Sequence, residues 1–512
     1  MLDQIDFKSG IVIVQKDSSI QDAVNAAEPG NVIYIEPGIY KESISINKAN
    51  IKLIGINSTE DNHVILENPG NEETGIRVNN DDNHVEIFNI QVRNFNTESA
   101  NISNHNYPKK DLNSLLHDMT RQDLGNGIAH YTFKIQLGEG TFDVVRLNRV
   151  VRESRPYHPI ETKGDIFMLH GAIQDFNDIY LTSGAENITI QTSSAVYWAS
   201  KNIDVWGVDL AWTFVPPETT DFTFMKDWGI EKDIDHTLVA MSAARLIRGI
   251  TSHNFGQMNL LGFSYSVMVV YGAAGRESQK QAVLRNIKGL IPVDHAIKYA
   301  PSDEEFRQNA CNAAAKGKEF LDKGTYENNW GVTLSELGNR ALTAPNEDSQ
   351  IPCFAGMTNS QALLFVGSMK YKTGNPAAPF WHFVGGDLSD LHHTDAVRWF
   401  RFIDSLAPYQ PGQLLYENYA CLCDEIDLSF DDHLGDITVP IFSLGAGGGM
   451  GTLGAYSNSL TASTDVTHYV VSIPGTERKL DYGHADLFLG KHADKLAWEK
   501  LFQWLTDHTT DN

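Results

Sequence analysis

Two textures of apolar and polar patterning divide the chain. Up to about residue 96 the apolar runs are short and are broken by Asn, Gly, Asp and Pro. Ser19 to Ala27 has helical spacing. Gly30 to Tyr40 follows, and then β-rich runs recur at 43–46, 51–56, 64–66, 75–78 and 85–92. Alternate runs return after about twenty-odd residues, the period at which a parallel β-solenoid closes one coil. Residues 97–122, rich in Asn, Ser, Lys and Asp, read as a linker containing a short helix. Beyond residue 123 strands and helices alternate, as a mostly parallel sheet requires. Strands are expected at 141–151, 165–169, 202–212 (with its loop), 260–263, 287–293, 439–444 and 467–472. Helices are expected at 193–200, 236–248 and 492–504. The alternation breaks between about 296 and 435, which reads as a helical cap inserted in the domain.

Leu260-Leu261-Gly262-Phe263-Ser264-Tyr265-Ser266 is a buried strand turning sharply into a helix. Such an elbow lifts a serine hydroxyl out of the sheet. The pattern is Gly-x-Ser-x-Ser, with Ser266 where glycine is commoner. Alone it is equally a core strand ending in an ordinary turn. Upstream, Asp165-Ile166-Phe167-Met168-Leu169-His170-Gly171 is an apolar strand running into His-Gly. Downstream, Asp481-Tyr482-Gly483-His484-Ala485-Asp486-Leu487-Phe488 places a histidine between the last strand and the closing helix. In that order and spacing the three segments resemble the α/β-hydrolase superfamily, over roughly residues 125 to 510.

The resemblance implies Ser264 as nucleophile, His484 as general base, and an oxyanion hole made by the backbone N–H groups of Tyr265 and Ala172. His170 is then a shaping residue. The orienting acid departs from the common pattern, which places Asp in the loop after the strand at 439–444. Here that loop is Gly445-Ala446-Gly447-Gly448-Gly449-Met450-Gly451-Thr452-Leu453-Gly454, with no carboxylate before Asp465. Asp294, at the tip of the preceding strand, is the first candidate, Asp465 the second and Asp486 the third. A turn carboxylate is the competing reading of Asp294. The glycine run lacks the Gly-Lys-Ser/Thr ending of a phosphate loop and reads as close backbone packing.

Serine at the elbow disfavours epoxide or haloalkane chemistry, which would place aspartate there. Trp212, Phe214, Phe222, Phe224, Trp228, Phe380, Trp381, Phe383, Trp399 and Phe400 enrich the cap and rim, although such clusters are often core. With Gly-His-Ala-Asp-Leu-Phe and Asp204-Val205-Trp206-Gly207 they resemble lidded lipases and esterases. The resulting expectation is a serine hydrolase cleaving carboxylic esters with a hydrophobic acyl or alcohol part. The alternatives are a non-catalytic binding protein on a hydrolase frame, and a carbohydrate esterase brought to glycan by its N-terminal module.

In that module, Ser-Ile-Gln-Asp-Ala at 19–23, Pro-Gly-Asn-Val-Ile-Tyr-Ile at 29–35 and Gly-Ile-Tyr at 38–40 resemble the cap and first coils of right-handed parallel β-helices of the pectin-lyase-like superfamily. A small β-sandwich is the competing reading. The resemblance brings no activity, and Asp81-Asp82 read as a solvated turn. Residues 1–96 are therefore expected to be a binding or scaffolding domain, contacting glycan or protein, ahead of an α/β-hydrolase domain at 123–512.

Length favours two domains, since single cores stop growing near about 250–300 residues. A formal charge of -25 argues against nucleic acid and anionic membrane as partners. No apolar run reaches the roughly eighteen residues of a membrane span. The acidic start lacks a basic n-region, so the chain is expected inside the cell or exported after loss of a leader. Cys311, Cys353, Cys421 and Cys423 fall in the cap segment and read first as reduced, partly buried thiols, with room for one or two disulfides. They contain no Cys-x-x-Cys pair, so zinc is not expected. The sequons at Asn57, Asn101 and Asn187 carry little weight. The expected chemistry needs neither metal nor organic cofactor.

Overall fold

A computed structural model describes residues 11–508 except 57–62, 71, 80–84, 96–118, 253, 369–389 and 476–479. Contacts divide the chain into two compact units. One comprises Met1–Thr120, Leu238–Met258 and Gln279–Asn286; the other holds the remainder.

The first unit is built on three small parallel sheets. Ile11–Val14, Val32–Ile35, Ile51–Gly55 and Val85–Phe88 form one. Gly38–Lys41, Val64–Glu67 and Ile90–Arg93 form the second, and Ile44–Ile46 pairs with Ile76–Val78 in the third. The register stacks like on like: Ile33 opposes Leu53, which opposes Ile87, and Ile44 opposes Ile76. These side chains and Leu66, Val64 and Ile90 make one continuous apolar core. The helix Ile20–Ala26 covers it with Ile20, Ala23 and Val24, and Ser19 caps the helix by accepting from the Asp22 N–H. The expected run 85–92 is two strands, because Asn89 turns the chain with φ 55°. Arg245 ties Leu238–Met258 to Gln279–Asn286 by donating to the carbonyls of Phe255 and Arg285. Asp81-Asp82, Asn57 and Asn101 lie outside the described residues.

The second unit holds the large sheet. Its principal strands are β1 (Met119–Gly125), β2 (Ile128–Gln136), β3 (Val144–Arg155), β4 (Gly164–Leu169), β5 (Ile203–Asp209), β6 (Met258–Phe263), β7 (Ile287–Val293), β8 (Ile441–Ala446) and β9 (Val466–Val471). Their spatial order is β1-β2-β3-β5-β4-β6-β7-β8-β9. The pairs β2–β3 and β3–β5 are antiparallel. The pairs β4–β5, β4–β6, β7–β8 and β8–β9 are parallel. Every residue of β4, β5, β6 and β8 is buried, the signature of strands covered on both faces. Residues 119–122, expected as linker, instead begin β1. The turn Gly125-Asn126-Gly127, all at positive φ (82°, 53° and 70°), folds β1 back onto β2.

Between β7 and β8 lie the helices Glu304–Asp322, Trp330–Thr343, Asn359–Gly367, Ala396–Asp404 and Gly412–Cys423. A disulfide joins Cys311 to Cys423, whose Cα atoms are 4.6 Å apart although 112 residues separate them in sequence. This corrects the expectation of reduced thiols, which could not foresee that the first and last of these helices lie side by side. Cys353 is free and exposed, and Cys421 is free and buried. Among the described residues no helix is long and apolar enough to cross a membrane.

Alkylation of the unfolded, unreduced protein is expected to modify two cysteines, rising to four after reduction. Replacing Cys311 and Cys423 together by Ala should cost about 2–4 kcal/mol in thermal or denaturant unfolding, because a long closed loop is released. Four reactive thiols without reductant would contradict the pairing.

Candidate active site

The end of β6 has little freedom. A Cβ on Gly262 would collide with the Ser266 carbonyl, so the helix Ser266–Ser278 packs directly on the strand. Ser264 sits at the corner with φ 60°, a left-handed conformation that non-glycine residues hold only when their surroundings impose it. Two hydrogen bonds impose it here. The Ser264 N–H donates to Val293 O at 3.0 Å, and its carbonyl accepts from the Val267 N–H at 2.9 Å. The elbow is thereby tied to the tip of β7, where the next residue is Asp294.

Asp294 also has positive φ, 50°, and its N–H donates to Leu444 O at 2.7 Å. Its carboxylate is the centre of the site. Oδ2 accepts from His484 Nδ1 at 2.7 Å. Oδ1 accepts from the N–H of Ala446 at 2.8 Å and of Met450 at 3.1 Å. A Cβ on Gly449 would collide with Oδ2, so the glycine run after β8 is what lets the backbone wrap the carboxylate. The loop that commonly carries the acid here supplies N–H donors to an acid on the neighbouring strand. A carboxylate only accepts, so Nδ1 of His484 is the donor in this bond.

Both side chains of this pair are fully buried. The His484 ring lies on the Phe263 ring, centroids 4.4 Å apart at 24°. Because Phe263 immediately precedes Ser264, the imidazole stacks beside the elbow. Asp486 closes the histidine loop: Oδ2 accepts from the Gly483 N–H at 2.8 Å and Oδ1 from Thr394 Oγ1 at 2.5 Å. It shapes that loop, and the carboxylate at His484 Nδ1 is that of Asp294. Asp465 lies at the other end of the sheet. Its carbonyl accepts from Ile441, the first residue of β8, and its carboxylate meets His508 Nε2 at 3.0 Å. The second candidate acid is thus ruled out by position, since Asp294 faces the last residue of the same strand.

The loop after β4 brings Ala172 to this end of the sheet. His170 is fully buried, and burial pushes its pKa down. Its Nε2 accepts from the Leu210 N–H at 3.2 Å and its Nδ1 donates to Gly171 O at 2.9 Å, which fixes a neutral tautomer. Peptides are planar and trans, so pinning the Gly171 carbonyl aims the Ala172 N–H the opposite way. The Gly171 N–H in turn donates to Gln174 Oε1 at 3.2 Å. The other expected oxyanion donor, Tyr265, directly precedes the helix Ser266–Ser278.

Two features escape sequence reading. Gln174, nearly fully buried, anchors the loop, yet a lone glutamine carries no motif. Asp233, in the first turn of Ile230–Ser252, accepts from Tyr265 Oη at 3.3 Å, and burial pushes its carboxyl up to about 8. In sequence it is an ordinary acid at a helix start. Of the aromatic candidates, Trp212 packs edge-on against His170, and Trp399 and Phe400 are core. Phe222 meets Tyr409 at 4.7 Å and Phe224 meets Trp228 at 5.3 Å. Phe380, Trp381 and Phe383 lie outside the described residues.

No family model and no curated protein matches the chain. Among solved structures, a provisionally assigned lipase from Sulfolobus solfataricus is similar, with TM-score 0.51 and 17% identity over 76% of this chain and 99% of that one. A soluble variant of monoglyceride lipase from Saccharomyces cerevisiae, in complex with a substrate analogue, gives 0.35 and 13% over 76% and 95%. Juvenile hormone epoxide hydrolase from the silkworm Bombyx mori gives 0.37 and 11% over 75% and 79%. The first match shows the fold: residues around the large sheet adopt an α/β-hydrolase fold.

Asp233 makes stability depend on pH. Its folded pKa, about 8, lies above the ordinary 3.8, so the native state keeps a proton that the unfolded chain releases. Its contribution is complete below the ordinary value and is lost as pH rises through about 8, at up to about 1.4 kcal/mol per pH unit. Asp233→Asn should therefore gain stability relative to the parent between pH 4 and 8 in denaturant titrations. A difference that stays constant over that range would contradict the assignment.

Proposed function

We propose that this protein is a serine hydrolase of carboxylic esters with a hydrophobic acyl or alcohol part. The observation that carries the reading is the buried His484–Asp294 hydrogen bond, 2.7 Å, beside the strained elbow at Ser264. A serine hydroxyl is a weak nucleophile until a base takes its proton as it attacks. In the proposed cycle, Ser264 Oγ attacks the ester carbonyl while His484 Nε2 accepts the hydroxyl proton. Asp294 holds the imidazole in the required tautomer and stabilises the imidazolium. The N–H groups of Tyr265 and Ala172 receive the negative charge that grows on the carbonyl oxygen. His484 then gives its proton to the departing alkoxide, leaving an acyl group on Ser264. Water attacks that acyl group with His484 again as base, releasing the acid and restoring the serine.

The preference for an apolar ester rests on the half-buried rings of Phe214, Phe222 and Phe224 in the loop after β5. The helical segment between β7 and β8 is read as the cap. The missing acid was the support for a non-catalytic frame, and the contact between Asp294 and His484 takes that support away. The three parallel sheets around one stacked core support a short right-handed β-helix in the first unit. We read it as a binding or scaffolding module, with glycan as the ligand to test.

Assay with p-nitrophenyl esters of increasing acyl length should show turnover. Ser264→Ala is expected to abolish it, and Asp294→Asn to lower kcat by about 10⁴-fold through the wrong imidazole tautomer. Asp465→Asn should leave kcat/KM unchanged. Full activity in the Asp294 variant would overturn the triad, and no turnover of any ester would overturn the substrate class.

A further inference from the structure

We infer that Ser266 is a positioning residue for the oxyanion site: its hydroxyl ties the loop carrying the Ala172 N–H to the helix that begins at the nucleophile. The inference rests on the ester-hydrolase reading and deepens it. Ser266 occupies the position where such elbows commonly have glycine, and its side chain is fully buried. Oγ donates to His170 O at 2.5 Å, across 96 residues of sequence. The Ser266 backbone cannot retreat from that bond, because its carbonyl is pressed on Gly262 of β6.

The bond acts through peptide geometry. Holding the His170 carbonyl fixes the His170–Gly171 peptide plane, whose N–H points the other way, to Gln174 Oε1 at 3.2 Å. The next plane, Gly171–Ala172, is held by His170 Nδ1 donating to Gly171 O at 2.9 Å. Two consecutive planes are thus locked, and the second carries the Ala172 N–H. The loop needs an outside hold. Ile173 has φ 52°, a left-handed conformation strained for a β-branched residue, and a Cβ on Gly171 would come within 2.9 Å of Gln174 and 3.1 Å of Phe263. Ser266 supplies that hold from the same turn that presents Tyr265. Both oxyanion donors are thereby referred to one rigid corner; a glycine would leave the loop held by the Leu210 N–H on His170 Nε2 and the Ala407 N–H on Ile173 O, but not by the helix that begins at the nucleophile.

The test compares the parent with Ser266→Ala and Ser266→Gly in two measurements. In steady-state ester hydrolysis, kcat should fall about 10- to 100-fold with KM little changed, the signature of a displaced transition-state donor. In native amide hydrogen exchange, residues 170–174 should exchange faster while the β6 and β7 strands keep their protection. A folded Ala variant with parental kcat overturns the inference, as does one whose 170–174 amides exchange at the parental rate. If the parent hydrolyses no ester, the functional reading fails separately, and the exchange measurement alone decides whether Ser266 holds the loop. Should the Ala variant unfold, the Gly variant, which restores the commoner residue, is judged by the same two readouts.

Discussion

The hydrogen bond between His484 and Asp294 is the constraint from which the rest of the site follows. An imidazole and a carboxylate, both wholly removed from water, are costly to bury unless every strong acceptor is met by a donor. The chain meets the carboxylate with His484 Nδ1 and two backbone N–H groups, those of Ala446 and Met450. Only a glycine-rich turn can bring backbone so close, which is why Gly449 has no room for a side chain. The positive φ of Asp294 aims the carboxylate into that turn, and the Ser264 N–H on Val293 O puts the elbow alongside. Ser264, Asp294 and His484 are therefore set by three adjacent strand ends, β6, β7 and β8, and by one loop after β9.

Much of this was legible in the chain. The largely apolar runs at 165–169, 260–263 and 287–293 read as strands, and a small residue two positions after Ser264 reads as close strand–helix packing. Asp294 was reached through the resemblance, which implies the tip of the strand at 287–293 as the other place for the acid once the loop after 439–444 lacks one; Asp465 and Asp486 stayed open beside it. The β-rich runs of the first unit were visible for a different reason. Their order repeats, and although the intervals differ, isoleucine stacks on leucine from strand to strand.

What stayed hidden depends on tertiary proximity. Cys311 and Cys423 meet only because two helices 112 residues apart lie together. Asp465 looked available because sequence distance does not reveal which end of a strand a residue occupies; it stands by Ile441, whereas Asp294 stands by Ala446. Asp233 carries the pattern of any helix-start acid, and only burial beside Tyr265 changes its protonation. The hairpin at Gly125-Asn126-Gly127 was the exception. Its two glycines stand in the chain beside residues 119–122, whose polar composition reads as linker.

Peptide mapping by mass spectrometry after reaction with a fluorophosphonate probes most directly whether this buried pair activates the elbow serine. The account predicts one covalent adduct, on the peptide containing Ser264, and none once His484 is replaced by Ala. A native protein that stays unmodified, or one that carries its adduct on another residue, would contradict it.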